Sequence, residues 1–278
     1  MLRDKLAHSK IVTVEILLPV LPEIDNFLKH LVPFKEYVDA FNVPSNPLGR
    51  LKPDALCYGH IIQEALGVET IPHFVARHFT LLSFESHLLG ASALGIENIL
   101  CVTGDKPVEG RGAFELNSQK LLEIAKSLRF GFTSMKKSIS PVDFCLCTSF
   151  NPNVANVRGE FIKSKGKVEC GAEVFFTQPV FDTGKFLRII SEFRRAHPKT
   201  RVIAGLSFLY SKKRAFKLMK FLGIPYKYII ELDKRDELAI LYETAKKVEK
   251  FVDGFYIIPI GRYEPVLRLV EKIRELIH

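Results

Sequence analysis

Two carboxylates stand where they could do chemistry. Glu15 lies inside the apolar run of residues 11–18, where a charged side chain is costly unless it is paired or protonated. Desolvation raises the pKa of such a carboxylate toward neutrality, which suits a general acid. A structural carboxylate paired with Arg77 or another base is the alternative. Asp105 follows Gly104 in Cys101-Val102-Thr103-Gly104-Asp105-Lys106-Pro107. The glycine permits close backbone approach by a ligand, against the simpler reading of a Gly-Asp turn. His73 lies in an apolar run and reads either as a hydrogen-bonded core histidine or as a ligand contact. It lacks the partner spacing of a metal site, and no metal is expected. Gly159 with Gly166-Lys167 is not a phosphate loop, because six residues separate the glycines and no Ser or Thr follows the lysine.

The elements that would carry these residues alternate in texture. Short apolar runs occupy residues 11–18, 38–43, 70–76, 98–102, 142–149, 174–177, 202–206 and 254–258. Amphipathic stretches of helical spacing fill 52–66, 80–94, 118–128, 156–170, 183–196, 212–222, 236–251 and 265–277. The strand runs are continuously apolar, which marks a parallel sheet covered by helices on its faces. Pro22 suits the first turn of a helix, Asn117 or Ser118 suits an N-cap, and Gly95 and Gly171 suit helix ends. The first strand lacks the G-x-G-x-x-G that an open dinucleotide-binding sheet carries, so a closed barrel is preferred. The expected fold is α/β, a single (β/α)8 barrel over residues 1–278.

Barrels of this kind place their active sites at the carboxy ends of the strands. The polar residues falling there are Glu15, Asn42, Ser45, His73, Arg77, Thr103, Asp105, Ser149, Asn151, Thr177, Gln178 and Ser207. The segment 106–116, with Gly110-Arg111-Gly112 and Phe114, is a lid, a cofactor cover or a loose connection at that same end.

Composition narrows the class. Apolar residues make up 47% of 278, enough for a large core without disulfides or a structural metal. The net charge of +9 invites nucleic acid, an anionic membrane or acidic small molecules. The basic residues sit on helices beside acidic ones, as in Lys246, Lys247, Glu249 and Lys250, and no base-reading motif accompanies them. Cys57, Cys101, Cys145, Cys147 and Cys170 are odd in number and lack a completing zinc set, so they read as small core residues in a reducing compartment. With no signal peptide and no spanning run, a cytoplasmic protein is expected.

The motifs also resemble the methylenetetrahydrofolate reductase family, especially the reductase portion of fused homocysteine methyltransferase–reductase proteins. The likeness runs from about residue 9 to residue 264. It is carried by Val12-Thr13-Val14-Glu15, Asn42-Val43-Pro44-Ser45-Asn46-Pro47, Glu69-Thr70-Ile71-Pro72-His73-Phe74, Leu94-Gly95-Ile96-Glu97-Asn98-Ile99-Leu100 and Thr103-Gly104-Asp105-Lys106-Pro107. Asn151-Pro152-Asn153, Lys167-Val168-Glu169-Cys170-Gly171-Ala172-Glu173, Thr177-Gln178-Pro179-Val180-Phe181-Asp182 and Gly261-Arg262-Tyr263-Glu264 complete it. Each piece is weak alone, and their common order makes the signal.

The resemblance implies a flavoprotein oxidoreductase of one-carbon metabolism and methionine biosynthesis, with FAD as cofactor (FMN the second choice) and NAD(P)H as electron donor. It would reduce 5,10-methylenetetrahydrofolate to 5-methyltetrahydrofolate by hydride transfer. By resemblance, Glu15 is the acid that assists folate ring opening, and Asp105 is the carboxylate beside the flavin. Asn42, His73, Thr103, Gly104, Asp105, Asn151, Glu160 and Lys167 fall on flavin-contacting positions, Lys167 toward the phosphates. Gln178 and Phe208 fall on the substrate side. Departures from the family pattern include Thr103 for an arginine, Asn151 for a tyrosine, His78 for an aspartate and a single Pro19 after Glu15. They motivate an alternative in which electrons come from a partner protein. A non-catalytic basic barrel binding nucleic acid is a further alternative. The expected partners are a tetrahydrofolate, a second copy of the chain in a homo-oligomer, and an electron-transfer or methyltransferase protein. Neither nucleic acid nor a membrane is expected.

Overall fold

The computed structural model describes residues 1–20 and 23–277, so the helix position expected for Pro22 lies outside the described residues. Eight parallel strands close on one another in sequence order. They are β1 Ile11–Glu15, β2 Ala40–Val43, β3 Glu69–Val75, β4 Asn98–Val102, β5 Cys145–Phe150, β6 Val174–Pro179, β7 Arg201–Ser207 and β8 Gly254–Ile258. Closure is made by β8 pairing with β1, with Thr13 opposite Tyr256. The expected (β/α)8 barrel is the observed fold.

Helices α1 Leu2–His8, α2 Ile24–Leu31, α3 Ala55–Leu66, α4 Leu81–Ala93, α5 Ser118–Arg129 and α6 Val157–Glu169 cover the first half. Then follow α7 Thr183–Ala196, α8 Lys212–Leu222, α9 Tyr226–Lys234, α10 Glu237–Val248 and α11 Glu264–Ile277. Local chemistry sets many of their starts. Asp54, Asn117, Asp182, Ser211 and Asp236 each accept a backbone N–H in the first turn that follows. Thr80 and Ser83 form a reciprocal capping box at α4. Each such cap stabilises its helix by roughly 0.5–2 kcal/mol.

Two strands are shorter than the apolar runs that contain them. The run 142–149 begins as a strand only at Cys145, because the Val142 N–H donates to the Leu128 carbonyl at the end of α5. β1 ends at Glu15, and Pro19 just beyond it has no donor to extend a ladder.

The core has two main layers. Val12, Val14, Phe41, Phe74, Ile99, Phe175 and Phe255 face outward against the helices. Ile11, Ala40, Ile71, Leu100, Cys145, Cys147, Val174, Phe176, Ile203 and Tyr256 fill the barrel interior. Leu2 and Leu6 of α1 join this inner cluster and floor the barrel at the amino ends of the strands. The pair α8–α9 is an addition to strict β/α alternation. It packs through a separate small core of Phe181, Leu209, Ala215, Ile224, Tyr228, Ile229 and Ile240. Among the described residues no helix is long and apolar enough to cross a membrane.

Candidate active site

The inward alternation of strand residues replaces apolar packing with polar groups near the carboxy ends. Glu15 closes β1 with its side chain partly exposed, and its carboxylate accepts a hydrogen bond from the Tyr256 hydroxyl of adjacent β8. Burial pushes the Glu15 carboxyl up to about 7, and the Tyr256 bond pulls the other way. Burial, followed by the Glu15 charge, raises the Tyr256 hydroxyl well above its ordinary value. Tyr256 is therefore a fixed donor and Glu15 the group of the pair that titrates near neutrality. Arg77 does not pair with Glu15. Its guanidinium lies 4.4 Å from the centre of the Phe114 ring.

Asn42 is the register neighbour of Glu15 on β2 and is completely buried. Its Nδ2 lies 3.4 Å from His73 Nε2, and its Oδ1 has no partner among the described residues. Burial pushes His73 down to about 3, so the imidazole is neutral at ordinary pH. A buried carbonyl oxygen left unmatched costs about 1–3 kcal/mol. A ligand N–H arriving there would recover that cost.

At the end of β4, Thr103 Oγ1 accepts from the Ser118 backbone N–H at 3.2 Å and so ties the strand to α5. Gly104 has φ +79°, and a Cβ there would fall 2.1 Å from Val75 Cγ1, so only glycine fits. Asp105 follows, exposed. The segment beyond it is anchored across the mouth. Val108 donates to the Gly49 carbonyl at 3.0 Å, Ala113 donates to the Arg77 carbonyl at 2.8 Å, and Glu115 accepts from Leu81 N–H at 3.1 Å. It is anchored at these three points and is not a loose connection.

A second wall comes from β5 and α6. Glu160 accepts from the Asn151 backbone N–H at 2.9 Å, and Lys167 donates its ammonium to the Ser149 carbonyl at 2.5 Å. Both side chains are buried. Burial lowers the Lys167 pKa against the attraction of Glu160. Gln178 sits partly exposed at the end of β6, where the register with β7 shifts. Phe208 is only 2% exposed, its ring stacked 5.5 Å from that of Tyr210.

Beside the mouth lies a cavity of 780 Å³, walled by the segments after β7 and β8 and by the starts of α10 and α11. Phe208, Tyr210, Glu237, Arg262 and Tyr263 line it. Tyr210 is held at φ 62°, a left-handed conformation that a bulky residue rarely adopts. Its N–H donates to Glu237 at 2.8 Å, and its hydroxyl contacts the carbonyls of Pro259 and Arg262. Tyr263 connects this cavity to the first strand, since its hydroxyl accepts from Leu17 N–H at 3.1 Å.

The barrel mouth thus gathers Glu15, Asn42 and His73 on β1–β3, with Thr103, Gly104 and Asp105 following β4. Asn151, Glu160 and Lys167 form the β5–α6 wall. Compared with known proteins, the methylenetetrahydrofolate reductase family model matches residues 45–248, more than half of the chain. The chain belongs to the methylenetetrahydrofolate reductase family. No curated protein matches it by sequence. An uncharacterized protein from Clostridium thermocellum that binds two copies of 5-methyl-5,6,7,8-tetrahydrofolic acid superimposes with a TM-score of 0.70 at 16% identity. That match covers 99% of this chain and 98% of the other, and it is a likeness of fold.

Within this methylenetetrahydrofolate reductase family member, Glu15 and all of β8 lie outside the matched span. Tyr256 was not singled out in the sequence, where it looks like one more apolar strand residue. Its signal is parity: two residues after Gly254, it faces into the barrel beside β1. Tyr210 gives no sequence signal of its left-handed backbone.

Proposed function

We propose that this chain is a flavin-dependent reductase that converts 5,10-methylenetetrahydrofolate to 5-methyltetrahydrofolate, with FAD as cofactor and NAD(P)H as electron donor. Family membership supports the reaction class. The observation that carries the reading is Glu15, a carboxyl poised to titrate about neutral pH at the open end of the barrel. The residues fit a flavin in that the Asn42 Oδ1, unpartnered among the described residues, offers an acceptor for a ring N–H. Asn42, His73, Thr103, Gly104, Asp105 and Asn151 would hold the ring system and sugar chain, with Glu160 and Lys167 bracing the wall behind Asn151. Flavin, when bound, supplies the hydride.

The chain's own groups do the rest. Glu15 in its neutral form delivers a proton to the folate nitrogen as the five-membered ring opens, and Tyr256 holds that carboxyl in place. The Asp105 charge favours the cationic iminium form of the folate. Neutral His73 adds no competing positive charge beside it. The docked segment 106–116 limits water at the mouth.

The test is direct. The purified chain is dialysed to equilibrium against FAD and against FMN, then mixed anaerobically with NAD(P)H and with methylenetetrahydrofolate in separate stopped-flow experiments. Flavin bands that bleach in the first mixing and return in the second are expected. Failure of both flavins to bind removes the reading.

A further inference from the structure

Helices on the outside of a barrel face water, and most of those here carry charge to match. α6 and α11 hold six charged residues each, and α5 holds four. α3 and α4 hold one each, Glu64 and Glu85. The two helices are neighbours, since Gln63 of α3 donates to the Gly95 carbonyl just past α4 at 2.9 Å. Glu85 is already engaged: it accepts from the Ser134 backbone N–H at 2.5 Å and from the Ser134 hydroxyl at 2.8 Å. What α4 exposes instead is Leu82, Ser86, Leu89 and Ala93, at the i, i+4, i+7 and i+11 spacing of one helix face.

The connection from α5 to β5 extends this surface. It folds back at Thr133, whose N–H donates to the Lys137 carbonyl at 3.0 Å, with Phe132 bridged to Ser138. The Ser134 bonds clasp the turn against α4 at Glu85, between Leu82 and Leu89, and so bring Phe132 and Met135 to the same wall. Leu82, Leu89, Phe132 and Met135 are 79%, 42%, 45% and 81% exposed. At about 150–200 Å² for an open side chain of this size, they present roughly 400–500 Å² of apolar surface. A charge-free patch of that extent marks an interaction surface.

We propose that this wall of α3, α4 and the turn 132–138 is a two-fold interface with a second copy of the chain. A stable contact buries about 800 Å² per partner, close to 60% of it apolar, and the four side chains supply about that apolar share. Charge favours the same occupant. The centre of the wall is uncharged, so two copies meet there without like-charge repulsion. Its α3 edge carries Glu64, and its opposite edge carries Lys136 and Lys137. All three are exposed and without an ion pair among the described residues. A two-fold axis running along α4 sets the basic edge of one copy opposite the acidic edge of its partner, twice over. The contact lies on the outside of the helix layer and does not depend on what the barrel mouth binds.

The test is sedimentation velocity of the full chain from micromolar to submillimolar concentration, in low and high salt. The parent should sediment as a dimer. The double variant Leu82→Glu, Met135→Glu changes only highly exposed side chains, so its urea midpoint should stay near that of the parent. Its dimer dissociation constant should rise by roughly a hundredfold or more, because the contact would bury unpaired charge. Lys136→Glu with Lys137→Glu should weaken the dimer roughly tenfold in low salt, and adding Glu64→Lys should restore it. A parent that sediments as a single chain throughout overturns the proposal. So does a dimer that survives Leu82→Glu, Met135→Glu, which would place the contact on another face. Should that double variant unfold, the charge reversal decides: no weakening, or weakening that Glu64→Lys does not rescue, removes the two-fold arrangement.

Discussion

Two asparagines at opposite ends of the barrel show how differently those ends are built. Asn98 starts β4 at the floor, and both ends of its amide are used. Its Oδ1 accepts from Leu2 N–H at 2.8 Å, and its Nδ2 donates to Glu69 at 2.6 Å. Asn42 stands near the carboxy end of β2, equally buried, and its Oδ1 has no partner among the described residues. The charges divide in the same way. At the floor, Arg3 and Arg129 each bond both Asp143 and Glu173, a closed set of two cations and two anions. At the mouth, Glu15 has a hydroxyl and, among the described residues, no cation, and Asp105 is left exposed. The charged groups of the floor are paired with one another and hold the fold together. The mouth leaves groups unmatched that a bound molecule would complete.

The largest expected effect breaks the mouth and leaves the floor untouched. Glu15→Gln keeps the shape and an acceptor for Tyr256 but cannot deliver a proton. Reoxidation of the reduced flavin by methylenetetrahydrofolate should slow by roughly 10²–10⁴-fold, the usual contribution of a positioned acid. Flavin reduction by NAD(P)H should continue near the parent rate. In the parent, the folate step should decline as pH rises through about 7, because the acid must be neutral to act. Stopped-flow traces of each half-reaction across pH decide this. Equal losses in both halves would make Glu15 structural.

The reverse test breaks the floor and spares the mouth. Leu6 lies on α1, 4% exposed, within the inner barrel cluster. Leu6→Ala should cost about 2–5 kcal/mol of stability in denaturant titration through lost burial and a cavity. Flavin affinity of the folded fraction should be unchanged. A variant that loses flavin binding in proportion to its stability would show that the two ends are coupled.

Much of this division was legible before the fold was seen. Continuous apolar runs placed all eight strands, and the rule that barrel sites sit at the carboxy ends picked out Glu15, Asn42 and His73. What stayed hidden depends on orientation across elements far apart in the chain. Tyr256 meets Glu15 only because β8 closes against β1. The sequence reading assigns no element to residues 2–8, yet their two leucines floor the barrel. The short α9 escaped because its apolar residues serve the separate α8–α9 core. Phe208 lines the cavity beside the mouth with its ring almost fully buried and Tyr210 stacked upon it, an arrangement that depends on the backbone of Tyr210.

A smaller effect should follow at the mouth from Asp105→Asn. The residue is exposed, so its charge acts through a solvent-like medium, where a unit charge at 4 Å amounts to about 1 kcal/mol. Removing it should raise the flavin reduction potential and slow the folate step by roughly fivefold, far less than the loss of Glu15. Spectroelectrochemical titration reads the potential. An unchanged potential would place Asp105 away from the flavin.

The smallest effect returns to the floor and differs from Glu15 in the sign of its pH dependence. Burial alone would raise the Asp143 carboxyl, but the hydrogen bond from Arg3 and the charges of Arg129 and Arg3 overcome it, and the pKa is lowered. A group with a depressed folded pKa contributes stability above its ordinary value of 3.8, and that contribution fades as pH falls through the folded value. Glu15 does the opposite. Its folded pKa of about 7 lies above the ordinary 4.5, so the stability it allows at low pH is lost as pH rises between those values. Asp143 is 42% exposed, so Asp143→Asn should cost under ~1 kcal/mol at neutral pH and less in high salt. Its stability should converge with that of the parent in acid, as the parent carboxyl takes up its proton. Glu15→Gln should instead match the parent in acid and exceed it above pH 7, where the parent must bury a charge without a cation. Urea titrations of both variants from pH 3 to pH 8 would show both curves meeting the parent in acid and departing from it in opposite directions as pH rises, Asp143→Asn below the parent and Glu15→Gln above it. If both depart in the same direction, the floor and the mouth do not divide the barrel's electrostatics in this way.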